Sequence, residues 1–460
     1  MRIENISEFG VDANTIFLET MAGIAGNKAI LFNRNGYILL TNKNVVNSLQ
    51  NKKVPKQLSN ILLGRHFLLQ KNIQKKKYVN EKVQPEFFMI DMTNRCNLRC
   101  TYCLRNVISG QEEISWEVLK DIGKFISEYC DKNDVRNISV QAWGGEPLLD
   151  VEKVIALTKF IMPTNTKVHY TIETNATLLS DEVVQRLHQY HIGIGISIDG
   201  FPLIHNKQRK FLSGKGSYEI VVKNLQNAQK IYDNQIGTIT TITKESSLYI
   251  EEIIEHLAIE LKIKNIKLNF MHSSSYTECS NMCMNSQEIA AAELKILNKI
   301  VDLQEKGYSV MEQNIQIKLK NILFKEYSDI CLSCGCCGGK KMVVFDMNGK
   351  IYPCELTDNQ KYAIGSIYKN QNLSDQITSK IEKKVDFFKV KKSEECTNCY
   401  WWVFCQGGCT VRTLQKRNVE KIDYMECAVN KVLYPALMEL ILVKPLIVNK
   451  MMGEDILFNE

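Results

Sequence analysis

The sequence predicts an α/β protein: a partial (β/α)6 barrel, with a small α+β domain before it and a cysteine-rich domain after it. Three observations carry this. Six short apolar strand candidates between residues 87 and 272 alternate with stretches of helical period. Each strand is separated from the next by a helix-length crossover, which makes the sheet parallel. Sixteen cysteines are present, and they gather behind the first of these strands and again from Cys331 onward.

Composition narrows the setting. A chain of 460 residues has room for two or three domains. A hydrophobic fraction of 45% and a charged fraction of 24% are those of a folded globular protein. The net charge of +7, from 58 basic and 51 acidic residues, is mild, so no nucleic-acid partner is expected. The start, MRIENISEFGVD, lacks a charged segment followed by an apolar one, so no secretory signal is read there. A cytoplasmic setting follows, in which clustered thiols are metal ligands and not disulfides. The apolar run VLYPALMELILVKPLIV is broken by Pro435, Glu439, Lys444 and Pro445, and reads as buried helix with no membrane span.

In chain order, residues 1–82 form the first expected domain. AILFNRNGYILL reads as two strands around a turn at Asn35-Gly36, and NVVNSLQ and KQLSNILL read as helices. KNIQKKK, residues 71–77, reads as a solvated linker. Residues 83–310 form the barrel, with strands expected at 87–93, 138–144, 168–174, 193–199, 237–243 and 266–272. Helices are expected near 114–129, 151–161, 181–190, 217–232, 249–262 and 286–306. A closed TIM barrel has eight such units, so six predict an open, TIM-like partial barrel. Residues 311–440 form the cysteine-rich domain and 441–460 a C-terminal tail.

The first strand runs into Cys96, Cys100 and Cys103, a C-x3-C-x2-C spacing. Three thiolates on one loop can hold three irons of a [4Fe-4S] cube and leave the fourth open to a small molecule. A structural zinc site needs four protein ligands, and no fourth Cys or His lies nearby. Parallel barrels also carry their chemistry at the C-terminal ends of their strands.

Other strand ends are distinctive. Gly144-Gly145-Glu146-Pro147 follows the second, Thr174-Asn175-Ala176 the third and Ser197-Ile198-Asp199-Gly200 the fourth, with Arg209 in HNKQRKFLSGKGSY beyond it. Together with the cysteine loop, this pattern resembles the radical S-adenosylmethionine (SAM) enzymes, from residue 87 to about residue 300. The resemblance implies that Gly144, Gly145, Glu146 and Pro147 hold the methionine amino group of SAM. It implies that Asn175 lies at the same site, that the Ser197 to Asp199 segment meets the ribose, and that Arg209 approaches the carboxylate. Tyr102 resembles the aromatic that lies against adenine. Ala176 stands where the family usually has glycine. His205 reads as a packing or hydrogen-bonding residue, with a catalytic role as the alternative. A reductant such as flavodoxin or ferredoxin is implied as a partner.

The second array is Cys337, eleven residues, Gly349, four residues, Cys354, then Cys396-x2-Cys399-x5-Cys405-x3-Cys409 and seventeen residues to Cys427. It resembles the SPASM domain of radical SAM peptide-modifying enzymes. That resemblance gives one auxiliary cluster Cys331, Cys337, Cys354 and Cys409, and the other Cys396, Cys399, Cys405 and Cys427. With the first cluster it implies three [4Fe-4S] clusters. The run from Cys331 to Cys337 offers four thiols for two places, so Cys334 and Cys336 stay open as ligands. A pair of zinc ribbons is the competing use of such cysteines. Cys130 reads as a small buried hydrophobe. Cys279 and Cys283 fall in the polar loop SSSYTECSNMC, either as an incidental pair or as a thiol that positions substrate.

Residues 1–82 loosely resemble the leader-peptide recognition domain of peptide maturases, which would bind a peptide by strand addition. The alternative is a cap over the barrel floor. The function implied is a radical SAM oxidoreductase that acts on a ribosomally made precursor peptide carrying a leader. It would install an oxidative cross-link, foremost a cysteine thioether. Sulfatase maturation to formylglycine and carbon–carbon cross-linking compete within that class. An iron–sulfur electron carrier or a zinc module competes from outside it.

Overall fold

The structure is a computed structural model that describes residues 1–33, 36–70, 83–103, 105, 111–233, 235–272, 281–324, 329, 331, 335–357, 360–384, 387–388, 393–414 and 422–453. The expected linker at 71–77, Asn35, Cys279 and Cys334 lie outside them.

The N-terminal region builds two small sheets. Arg2–Ile6, Thr20–Ala25, Lys28–Asn33 and Ile38–Asn42 pair antiparallel in that order, and Phe9–Gly10, Thr15–Phe17 and Leu68–Gln70 form the second sheet. Helix Lys43–Gln50 starts where the Asn42 side chain accepts the Val45 N–H, which satisfies one open donor of the first turn. Strand Lys28–Asn33 is buried on both faces. Ala29 and Leu31 pack with Val46, Leu49 and Leu62 of the region's own helices. Ile30 and Phe32 turn the other way, and the Phe32 ring stacks on Trp401 at 5.1 Å. The Met1 ammonium pairs with Glu439 at 2.7 Å. This region therefore docks on the C-terminal cysteine-rich part through Trp401 and Glu439.

The barrel strands form where they are expected: Phe87–Thr93, Asn137–Gly144, Lys167–Thr174, Ile192–Ser197, Gly237–Ile242 and Asn265–Phe270. All are parallel and pair in sequence order. Two further parallel strands extend the sheet. Met311–Glu312 adds beyond Asn265–Phe270, and Met342–Phe345 adds beside Phe87–Thr93. Lys350–Tyr352 and Gly365–Ser366 follow antiparallel, which makes ten strands in one sheet. The two extra parallel strands escape the period because Met311–Glu312 is only two residues long and Met342–Phe345 is followed by a strand in place of a barrel helix. The sheet thus crosses the expected boundary at residue 310.

Alternation along the strands sets the two faces. Ile172, Ile194, Ile196, Ile266 and Leu268 pack outward into the main core. Thr171, Glu173, Gly193, Gly195, Thr241 and Lys267 occupy the alternate positions. Buried parallel strands usually read as continuous apolar runs. Polar and small residues on the inner face leave a polar interior in place of the packed layers of a closed barrel.

Helix Tyr424–Val443 packs along Ser286–Glu305 and carries Pro435 within it. The C-terminal segment is helical through Met452, because Ile447, Val448, Met451 and Met452 give helix Pro445–Met452 an apolar face to bury. Among the described residues no single helix is long and apolar enough to cross a membrane.

Candidate functional site

The strand Phe87–Thr93 shifts register between Asp91 and Thr93 and releases the cysteine loop. The loop is then pinned to the segment after the fourth strand. Arg99 N–H donates to Lys210 O at 2.7 Å and Thr101 N–H to Gln208 O at 3.0 Å. Gly145 lies so close under Arg95 that a Cβ would overlap the Arg95 carbonyl. Its N–H donates to Thr93 O at 2.6 Å, and Glu146 N–H to Arg95 O at 2.9 Å. Glycine is required there by close approach.

Cys96, Cys100 and Cys103 face one another, since each of the first two feels the charge of Cys103. Burial pushes the Cys100 thiol up to about 12, with Asp199, Cys103 and Cys96 adding and Arg209 opposing. Such thiols become thiolates only against a strong local cation. Asn175 Nδ2 and the Leu98 N–H reach the Cys96 sulfur at 3.7 and 3.4 Å. Among the described residues no three His, Cys, Asp or Glu side chains converge on one ion. A four-iron cube distributes its thiolates over separate irons, and the loop with its surrounding donors fits that group.

Glu146 is only 1% exposed and accepts three hydrogen bonds. They come from Leu148 N–H at 3.0 Å, Thr174 Oγ1 at 2.7 Å and Asn175 N–H at 2.8 Å. Burial raises its pKa while these donors oppose the rise. A carboxylate has about four acceptor positions, so Glu146 works mainly as a strut between the second and third strand ends. Pro147 begins the short helix that Glu146 caps. Ala176 holds the left-handed φ of +60° that the usual glycine would take.

Asp199, expected at the ribose, sits in a hydrogen-bonded cluster. It is fully buried, and Oδ2 accepts from Tyr102 Oη at 2.6 Å, Gln208 Nε2 at 3.0 Å and Arg209 Nε at 3.0 Å, while Oδ1 accepts from Thr241 N–H at 3.0 Å. Three of these donors crowd Oδ2, while Oδ1 keeps one acceptor position. Asp199 therefore braces the site, and Ser197 lies half-buried at the strand end. Arg209 lies over the Tyr102 ring at 5.4 Å, with Nη1 4.0 Å from the Cys100 sulfur. Burial works against its charge, but Asp199, Tyr102 and Cys100 outweigh burial and its pKa is raised. His205 is held internally, between the Asp199 N–H and Ser217, as a hydrogen-bonding residue. Gln208, Thr241 and Thr243 were missed from sequence, being common polar types with no spacing signature.

Deeper in the barrel, Arg105 pairs with Asp91 at 2.6 Å and stacks over Trp143 at 4.4 Å. Glu355 lies within electrostatic reach of Glu173 and Lys267 of the inner strand face. Burial raises its pKa, Glu173 adds to the rise and Lys267 opposes it. Its sequence neighbour Cys354 packs in one apolar cluster with Trp143, Met89 and Tyr352.

The C-terminal cysteines separate into two groups. Cys396, Cys399, Cys405 and Cys427 line one cavity of about 190 Å3, with Trp401, Trp402, Asn430 and Lys431. The other group brings in Cys336, which the sequence left open. Cys331, Cys354 and Cys409 each feel the charge of Cys336. Cys337 is 1% exposed, with its sulfur 3.9 Å from Gly335 O. The Cys337 carbonyl accepts from Lys340 and Lys341 to begin the turn into Met342–Phe345. Cys336 thus joins Cys331, Cys354 and Cys409 of the expected set. Asp423 ties the two groups, accepting Cys409 N–H at 2.7 Å, Arg412 at 2.7 Å and Glu426 N–H at 3.2 Å beside Cys427. Cys130 is buried, as expected, and Cys283 is disulfide-bonded.

Residues 90–257 match the radical SAM superfamily, and residues 336–400 match the SPASM iron–sulfur cluster-binding domain. The chain carries a radical SAM domain followed by a SPASM domain. Such domains imply [4Fe-4S] clusters and SAM. This radical SAM chain is 26% identical over 333 residues to the cysteine-type anaerobic sulfatase-maturating enzyme of Clostridium novyi (strain NT), covering 69% of this chain and 85% of the relative. It is 23% identical over 371 residues to the radical SAM cyclopropyl synthase TigE of Paramaledivibacter caminithermalis, covering 76% and 73%. Among solved structures, native anSMEcpe with bound AdoMet and Cp18Cys peptide superposes with a TM-score of 0.65 at 21% identity, covering 80% of this chain and 100% of that one. Streptococcus suis SuiB bound to precursor peptide SuiA superposes with a TM-score of 0.54 at 15% identity, covering 88% and 100%. At these identities the superpositions establish the fold.

Proposed function

We propose that this chain is a radical SAM maturase that installs an oxidative cross-link, a cysteine thioether, in a ribosomally made peptide. Cys96, Cys100 and Cys103 would hold the SAM-binding cluster, and the two four-thiol groups the auxiliary ones, three clusters in all. The cluster and SAM held there would supply, with one electron from a flavodoxin or ferredoxin, radical removal of hydrogen from an unactivated C–H bond. The protein's own residues orient and exclude. The Gly144-Gly145 backbone offers close approach, Asn175 and Arg209 place donors and positive charge at the cysteine loop, and Glu146 and Asp199 hold these groups rigid.

The observation that carries the reading is Glu355. It stands beside the thiol of Cys354 and lies within electrostatic reach of Glu173 and Lys267 of the barrel interior. A peptide in that interior would lie between the cysteine loop and an auxiliary centre, with carboxylates at hand to take a proton. Relatives that act on peptides or proteins support the substrate class. The N-terminal sheets, docked on the SPASM part, suit leader recognition, with the edge strand Ile38–Asn42 open to strand addition.

A second reading has a specific support, the similarity to sulfatase-maturating enzymes. In that case one residue would be oxidised without a cross-link. Mass spectrometry of a cysteine-bearing candidate peptide, after anaerobic reaction with SAM and dithionite, separates the two. A thioether keeps the sulfur and loses two hydrogens, roughly 2 Da per linkage, whereas formylglycine made from cysteine loses the sulfur. Absence of 5′-deoxyadenosine from iron-loaded enzyme would reject both.

A further inference from the structure

Behind the cavity lined by Cys396, Cys399, Cys405 and Cys427 lies a buried polar group that cluster binding does not itself require. Lys318 is 1% exposed and donates from Nζ to Glu426 Oε1 at 2.8 Å and Asn430 Oδ1 at 2.7 Å. It also lies 5.3 Å from the centre of the Tyr434 ring. An ammonium has donors only, so its contact with Asn430 must be to the carbonyl oxygen. This fixes the orientation of the amide. The Asn430 NH2 then points away from Lys318, and its nitrogen is buried with no hydrogen bond of full geometry among the described residues. Asn430 itself lines the cavity, and its side chain acts on the Cys405 sulfur. An unsatisfied buried donor is costly, so the N–H group calls for an acceptor in that space. On the other side Lys431 stands against Cys427.

We propose that Asn430, oriented by Lys318, donates a hydrogen bond to the sulfur of the auxiliary cluster held by Cys396, Cys399, Cys405 and Cys427, and raises its reduction potential. The inference rests on the cluster reading above. On reduction the cluster gains one electron and no proton moves, because the amide does not ionise. The added negative charge sits on iron and sulfur, where a fixed N–H stabilises it. Hydrogen bonds to cluster sulfurs and nearby charge are among the factors that set such potentials. The same lysine thus fixes the donor, while its charge is offset at Cys405 by the paired Glu426, so the tuning rests on the Asn430 N–H.

The test uses the full chain with Cys96, Cys100 and Cys103 replaced by alanine, so that only auxiliary clusters are reduced. Potentiometric titration followed by electron paramagnetic resonance gives their midpoints. Asn430→Leu should make one couple at least tenfold harder to reduce at fixed potential, about 59 mV for one electron. Asn430→Asp keeps a partner for Lys318 and replaces the donor with an acceptor, and should shift the same couple further. Unshifted midpoints in variants with parental iron content would overturn the proposal. If only the aspartate variant assembles, its midpoint decides. Failure of both to bind iron also overturns it, because a donor that only tunes is dispensable for assembly. Absence of auxiliary iron in the parent would reject the cluster reading instead.

Discussion

Acidification should separate His205 from every other titrating group in the protein. The imidazole is 0% exposed, takes the Asp199 N–H at Nδ1 at 3.2 Å, and so carries its proton on Nε2, facing Ser217 Oγ at 3.0 Å. Burial lowers its pKa from 6.5 to about 4, with Asp199 opposing and Arg209 assisting. The folded value is the depressed one, so the unfolded chain takes up the proton first. Stability from this group is complete above pH 6.5 and drains away as pH falls towards 4. The gap corresponds to about 3 kcal/mol in full and about 2 kcal/mol at pH 5. Anaerobic urea unfolding of the parent and of His205→Gln at pH 7, 6 and 5 measures it, since all other groups cancel in the difference. The parent should lose about 2 kcal/mol more than the variant between pH 7 and pH 5. Parallel losses would show that the imidazole is not held neutral by burial, and the hydrogen-bond assignment would fall with it.

Replacement of Cys96, Cys100 and Cys103 by alanine should abolish 5′-deoxyadenosine formation and remove about one cluster of three, as read by iron analysis. Cys336→Ala should lose an auxiliary cluster, and parental iron content in that variant would take Cys336 out of the ligand set. Phe32→Ala removes a buried ring stacked on Trp401 and should cost about 3–5 kcal/mol in denaturant unfolding; a loss below about 1 kcal/mol would mean that the N-terminal sheets are not docked there. Glu355→Gln should still yield 5′-deoxyadenosine but little modified peptide by mass spectrometry, and wild-type yield would take Glu355 out of the reaction.

What the sequence disclosed follows from how far its signals reach. The six principal strands are legible because apolar residues mark their outer faces and helices punctuate them. Met311–Glu312 is two residues long, and Met342–Phe345 pairs with a strand far back in the chain, so no local period reports either. The cysteine loop and Gly144-Gly145 are legible because metal and close approach demand particular residue types. Spacing cannot choose among the four thiols from Cys331 to Cys337, which crowd one short run. Nor can it show that Asp199 spends its acceptors on Tyr102, Gln208, Arg209 and Thr241, since that depends on which side chains the fold gathers. The docking of Phe32 on Trp401 is equally silent, because each residue reads only as a hydrophobe seeking cover.

The strand Met342–Phe345 also bears on how the chain is made. It sits between Cys336 and Cys354 in sequence and pairs with Phe87–Thr93, Met342 lying opposite Phe87. During synthesis the outer edge of the first barrel strand therefore waits, unpaired, until more than half of the chain has followed it. An apolar strand with an open edge is a template for pairing with other chains, and waiting species of this kind are prone to aggregate. C-terminal truncation meant only to remove the auxiliary centres would strip that edge as well. Expression of a barrel ending before Met342 should give inclusion bodies, whereas one extended through Ser366 keeps the three sealing strands and has a route to a soluble product.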